Sequence, residues 1–246
     1  MSQMRRIYTM RFVGRCLTLL LMSILLFIAP DQFIPFQKGA FFEKITLLHV
    51  LWTVWIADML TQLIPSTKAV TALGSQKSFQ THFRPSGMSA SAKEVRKKAI
   101  HAAKRAYVVF VVWAVLIAAL GVLHAKHILN DLAMLWISTL FYVCDLICVL
   151  FWCPFRHFIM KNRCCTTCRI FNWDHLMMFT PLIYVSGFFS RSLVILSVIV
   201  FLVWEWTAWK HPERFQESCN QALKCSECTD LLCIHAKKRH PEAIKK

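Results

Sequence analysis

The stretch 132–153, LAMLWISTLFYVCDLICVLFWC, decides the fold. A helix needs roughly 20 mostly apolar residues to cross the ~30 Å hydrocarbon layer of a bilayer. This run is long enough and carries a single carboxylate, Asp145. Working outward, five more stretches read as spans by length and apolar character, at 12–29, 45–64, 107–123, 176–189 and 192–209. The segment 176–189 is short and contains Pro181, so crossing would need tilt, a thinned bilayer, or flanking residues such as Trp173.

Composition agrees with this reading. Hydrophobic residues make up 57% of the 246, charged residues only 17%, and there are just 6 glycines. That is too apolar for an ordinary soluble domain and far from a disordered chain. The expected fold class is all-α, a polytopic integral membrane bundle of six transmembrane helices over 1–209, followed by a Cys-rich basic tail over 210–246. The first span has a basic start but exits through Ala29-Pro30-Asp31 without a small-x-small cleavage site, so it reads as an anchor, not a signal peptide. No internal repeat or low-complexity run is evident.

Basic residues orient the bundle. With six spans, one side receives the N-terminal segment, the loops 65–106 and 154–175, and the tail. Of the 29 Lys and Arg, only Lys38, Lys44, Lys126 and Arg191 fall on the other side. The positive-inside rule then places both termini in the cytosol, and a plasma-membrane location is expected. A net charge of +16 can signal nucleic acid. Here the charges read instead as topology determinants attracted to anionic lipids of the cytosolic leaflet, with no nucleic-acid partner. The densest run is Lys93, Arg96, Lys97, Lys98, Lys104 and Arg105. Ser91 and Glu94 fit a capping box that would start a basic helix leading into the third span.

Eleven cysteines divide by place. Cys16, Cys144, Cys148 and Cys153 lie in or beside spans, where free cysteine behaves as a small hydrophobe. Seven others occupy two polar segments expected on one membrane face: Cys164, Cys165 and Cys168 in the loop, and Cys219, Cys225, Cys228 and Cys233 in the tail. Pairs separated by two residues can aim two thiolates at one ion. The expected core ligand set is Cys165, Cys168, Cys225 and Cys228, with Cys233 and then Cys164 as substitutes. His157 and His175 are weaker candidates on the same face. Zinc is the expected metal, joining loop to tail as a structural clasp or a docking platform for a protein partner at the cytosolic face. An iron-sulfur cluster is the alternative. Disulfides are disfavoured because the cytosol keeps thiols reduced.

Ionisable residues inside spans are costly and point to function. Asp58, Asp145 and Glu205 qualify, and Arg15, just inside the first span, could pair with one of them. Such residues suit a proton-coupled transporter, or they tie helices together by hydrogen bonds. Asn172 or Asp174 could cap the helix that begins the fifth span, and Asp174 with His175 could handle protons beside the metal. Trp173, Trp204, Trp206 and Trp209 fit an interfacial belt. Phosphate-binding loops, nucleophile elbows and His-Glu-x-x-His pairs are absent, so three classes remain: a zinc-clasped membrane protein, an electron-transfer subunit, and a proton-coupled carrier.

Overall fold

The computed structural model of the chain describes residues 3–36, 40–63, 77–79, 82–87, 91–162, 164–165, 167–228 and 232. Regular structure among them is helical: α1 (Gln3–Ile28), α2 (Leu47–Leu63), α3 (Ala92–Ala125), α4 (Asp131–Leu150), α5 (Asp174–Phe179) and α6 (Phe188–Lys210), with short 3-10 turns and a π-helical turn at Phe155–Met160 between. Four of these helices, α1, α3, α4 and α6, are long and apolar enough to cross a membrane, and α2 is a shorter apolar helix of 17 residues.

The expected third span is part of something longer. The 34 residues of α3 extend ~50 Å at 1.5 Å per residue, well beyond a ~30 Å hydrocarbon layer. Its first four turns carry Lys93, Arg96, Lys97, Lys98, Lys104 and Arg105, so the basic helix and the apolar span are one rod. Ser91 precedes it, but its side chain makes no capping bond. α4 starts as helix chemistry favours, with Asn130 Oδ1 accepting the Ala133 N–H at 2.8 Å. It ends at Leu150, three residues before the end of the expected span.

The fifth segment departs most from expectation. Instead of one helix it is broken, with a 3-10 turn at Phe171–Trp173, the six residues of α5, and a second 3-10 turn at Thr180–Tyr184. Pro181 has no N–H to give an α-helix and tightens the chain. Neighbouring side chains repair the break. Trp113 Nε1 of α3 donates to Thr180 Oγ1 at 3.0 Å, and Tyr184 Oη donates to the Ile117 carbonyl at 3.1 Å. Irregular backbone packed among helices needs its polar groups met in this way. Gly187, at φ 145°, then turns the chain sharply into α6, a backbone conformation that favours glycine.

α1 packs along α4 and α2 along α6, while the broken segment is held among α3, α4 and α6. The shared core has Trp55, Met59, Met134, Leu135, Phe179, Phe189 and Leu193 at zero exposure, with Trp55 edge-on to Phe179 and Tyr142 at 5.1 and 5.8 Å. Apolar side chains on the outer faces of α1 and α3, such as Leu17, Leu21, Val111 and Val115, are exposed, as a lipid-facing surface requires.

Close approach of α3 to Tyr184 depends on Gly121. A Cβ there would stand 2.6 Å from Tyr184 Oη. Gly121→Ala is therefore expected to cost about 1–3 kcal/mol through overpacking. Thermal unfolding in detergent would read the loss, and Tyr184→Leu in the same background, which removes the ring atoms that the added Cβ meets, should recover part of it.

Candidate functional site

Four helical segments bring charged side chains to one place. Asp58 and Gln62 lie four residues apart on one face of α2, and Tyr142 and Asp145 three apart on α4. Arg15 comes from α1, and Asp174 and His175 open α5. Arg15 Nη1 donates to Asp145 Oδ2 and to the Tyr142 carbonyl, both at 2.7 Å, while Nη2 lies 3.7 Å from Asp58 Oδ2. Its guanidinium also sits over the Tyr142 ring, 3.9 Å from the centroid. The flat, five-donor group can do all this at once, which a lysine ammonium could not.

The chain of contacts continues beyond Asp58. His175 Nε2 is 3.3 Å from Asp58 Oδ2, and His175 Nδ1 is 3.3 Å from Asp174 Oδ1. Gln62 Nε2 donates to Asp174 Oδ2 at 3.1 Å. The second of the two imidazole contacts is poorly aligned. Thus His175 Nδ1, Asp174 Oδ1 and Gln62 Oε1 are buried atoms without a hydrogen bond, grouped at one end of the cluster. Buried polar groups of this kind are uncommon and mark places where something can be added. His175 is 2% exposed at its side chain, whereas Asp58 keeps 25%, so the cluster reaches the protein surface through its carboxylates.

Charge in this cluster is unbalanced. Three carboxylates face Arg15 and His175, with Arg11 acting on Asp58 from farther away. If His175 is neutral, the touching groups carry an excess of two negatives; a protonated imidazole reduces it to one. Uncompensated charge among apolar helices is expensive, so each added proton relieves the site.

Glu205 stands elsewhere. It accepts from Arg169 Nη2 at 2.6 Å and from Trp173 Nε1 at 2.8 Å, and Trp204 Nε1 donates to the Arg169 carbonyl at 3.0 Å. This clasp fixes the cysteine loop to the end of α6. Trp173 and Trp204 are consequently buried, not interfacial, while Trp206 and Trp209 are exposed as the belt expects. Neither proposed cap forms: the Asn172 carboxamide oxygen is unpaired, and Asp174 faces Gln62 and His175.

The cysteines regroup. Cys165 and Cys168 feel Cys153 and Arg156 as electrostatic neighbours, and Cys164 also acts on Cys165. Cys165 Sγ donates to the Cys148 carbonyl at 3.5 Å. Burial pushes the Cys165 and Cys168 thiols up to about 12, so both are neutral thiols near pH 7 and a metal would have to displace their protons. Among the described residues, no three His, Cys, Asp or Glu side chains are arranged to hold a metal ion. Cys233 lies outside the described residues. The tail is attached by other means: Asn220 reaches Lys77, Arg84 and Arg214, and Ser86 N–H donates to the Cys219 carbonyl at 3.0 Å.

Compared with protein-family models, with curated proteins and with solved structures, the chain matches none.

Proposed function

We propose that this chain is a proton-coupled membrane carrier whose exchange site is the Arg15–Asp58–Asp145–Asp174–His175 cluster. The observation that carries the reading is the excess of carboxylate over cation, gathered from four helical segments in an apolar bundle. A proton is the simplest partner that neutralises such a site, and the unpaired atoms of Gln62, Asp174 and His175 offer it a place. In this reading α2 and the broken segment serve as membrane segments alongside the four long helices, giving six. Both termini then face the cytosol by the positive-inside rule, in the plasma membrane. The basic first half of α3 meets anionic headgroups.

A second reading keeps the thiols central. The cysteines of 164–168, with Cys225, Cys228 and Cys233, would bind zinc, or an iron-sulfur cluster, as a platform for a cytosolic protein partner. The electrostatic influence of Cys153, Cys164 and Cys168 on Cys165 is what supports it, although no three of these side chains converge as a metal shell. The carrier reading ranks higher because its groups are already in contact.

The test is proton movement into liposomes containing the full chain, driven by a potassium diffusion potential and followed with an enclosed pH dye. Asp58→Asn is expected to slow it by at least about tenfold, the effect typical of removing one proton-transfer group, while the thermal midpoint stays near that of the parent. No flux in the parent, or flux unchanged from the parent in both Asp58→Asn and Asp145→Asn, would sink the carrier.

A further inference from the structure

Where the chain turns at Gly187, the two arms of the turn leave a cavity of about 190 Å³ between them. That is the volume of roughly six waters at ~30 Å³ each. One arm is the 3-10 turn Thr180–Tyr184 with Val185 and Ser186, and the other is the first two turns of α6. Both arms grade from polar to apolar in the same direction. Ser186 lies at the turn and Leu182 at the far end of its arm, while Val194 and Ile195 follow Arg191 by one helical turn, roughly 4.5–6 Å along α6. The wall is firmly held. Tyr184, which lines the cavity, donates to the Ile117 carbonyl and lies against Gly121, and Val185 N–H closes onto the Leu182 carbonyl at 3.1 Å. Charge here has one sign: Arg191 is exposed, no acidic residue lines the cavity with it, and it joins none of the ion pairs among the described residues. Ile183 and Ile195 are 61% and 60% exposed, so the apolar wall runs on to the outer face of the bundle, where lipid chains lie.

We propose that this cavity holds one anionic glycerophospholipid, with its phosphate on Arg191 and the first carbons of an acyl chain along Leu182, Val194 and Ile195. The rest of the chain leaves across the exposed faces of Ile183 and Ile195. A planar guanidinium matches two phosphate oxygens at once, and the Ser186 hydroxyl is a second donor in the same cavity. A zwitterionic headgroup fits less well, because its ammonium would meet Arg191 with no carboxylate to receive it. The polarity of the cavity has the direction a lipid needs, polar where the chain turns and apolar deeper in the bundle. This lipid is not one of those drawn to the basic half of α3. The His124 ring, at the other end of α3, lies 6.4 Å from the Tyr184 ring, so the cavity stands roughly 30 Å along that helix from Lys104, at the opposite leaflet. The site shares no residue with the charged cluster, so its test neither needs nor bears on proton transport.

The experiment irradiates the full-length protein in mixed micelles with phosphatidylglycerol or phosphatidylcholine of identical chains, each carrying a diazirine in the upper part of one acyl chain. Labelled peptides are then mapped by mass spectrometry. Phosphatidylglycerol is expected to label 182–195 several-fold more than phosphatidylcholine. Arg191→Gln should lower that labelling at least about tenfold, as the loss of hydrogen bonds between charged groups does, with the thermal midpoint unchanged. Val194→Trp, which fills the cavity but keeps the arginine, should lower it as well. The proposal is overturned if the two lipids label 182–195 equally or if Arg191→Gln labels like the parent. It is also overturned if Val194→Trp labels like the parent, since Arg191 would then be meeting bulk headgroups without using the cavity.

Discussion

Replacing Arg15 with methionine is expected to lower the thermal midpoint of the detergent-solubilised protein by roughly 6–20 °C, from a loss of about 3–5 kcal/mol. The guanidinium makes the short contact to Asp145 at 2.7 Å, the contact to the Tyr142 carbonyl at 2.7 Å and the longer one to Asp58. Methionine fills much of the volume but leaves Asp145 and Asp58 with no close cation except His175. Arg15→Lys should be intermediate, since one ammonium cannot span the three acceptors or lie flat on Tyr142. The decisive comparison is Arg15→Met with Asp145→Leu: removing both ends of a buried ion pair often restores stability. A double variant as unstable as the single one would mean that the loss comes from packing and not from stranded charge.

Three members of this cluster were legible in the sequence because charge inside an apolar run has a cost that must be met somewhere. Asp58, Asp145 and Arg15 stand out on that ground alone. Spacing could have added two more, since Gln62 follows Asp58 by four residues and Tyr142 precedes Asp145 by three, which places each pair on one helix face. By sequence position His175 and Asp174 read as neighbours of the cysteines. Their true partner, Asp58, is 117 residues away from His175, and only the orientation of the broken segment decides which way the imidazole faces. Glu205 met the same in-span criterion and yet serves a different clasp, because near the end of α6 it meets Arg169 and Trp173.

The long helices were legible for a simple reason. Hydropathy over a ~20-residue window is a sum that no single contact can reverse. Where that sum was weak, at 176–189, local chemistry took over: Pro181 ends the short helix in a 3-10 turn that Trp113 and Tyr184 hold by hydrogen bonds. Cysteine spacing was a poorer guide. A two-residue gap says that two sulfurs can converge, but the thiol that acts on both Cys165 and Cys168 is Cys153, which lies past the end of α4 at Leu150. The attachment of the tail through Asn220 was legible only in its local half, the cap on Ala222 N–H; its bonds to Lys77 and Arg84 are tertiary and leave no sequence signal.

That asparagine gives the second large expected effect. Asn220 is fully buried; its Nδ2 donates to the Lys77 carbonyl at 2.7 Å and the Arg214 carbonyl at 2.8 Å, and its Oδ1 accepts from Arg84 N–H at 3.4 Å and Ala222 N–H at 3.1 Å. Asn220→Ala leaves those four part-buried backbone groups without their side-chain partner, and each costs about 1–3 kcal/mol where it stays buried and unpaired. Local opening is cheaper than burying them, so the tail should detach from the 77–87 segment while the bundle stays folded. A loss of about 2–3 kcal/mol corresponds to tryptic cleavage at Lys77, Arg214 or Lys224 rising roughly 30–150-fold, when cleavage tracks the open population. Asn220→Asp should open it further, because a carboxylate would face the Lys77 and Arg214 carbonyls with no hydrogen to give. Unchanged cleavage in both variants would show that Gln216, whose Nε2 donates to the Val95 carbonyl at 2.6 Å, and the Trp204–Phe215 ring contact hold the tail without Asn220.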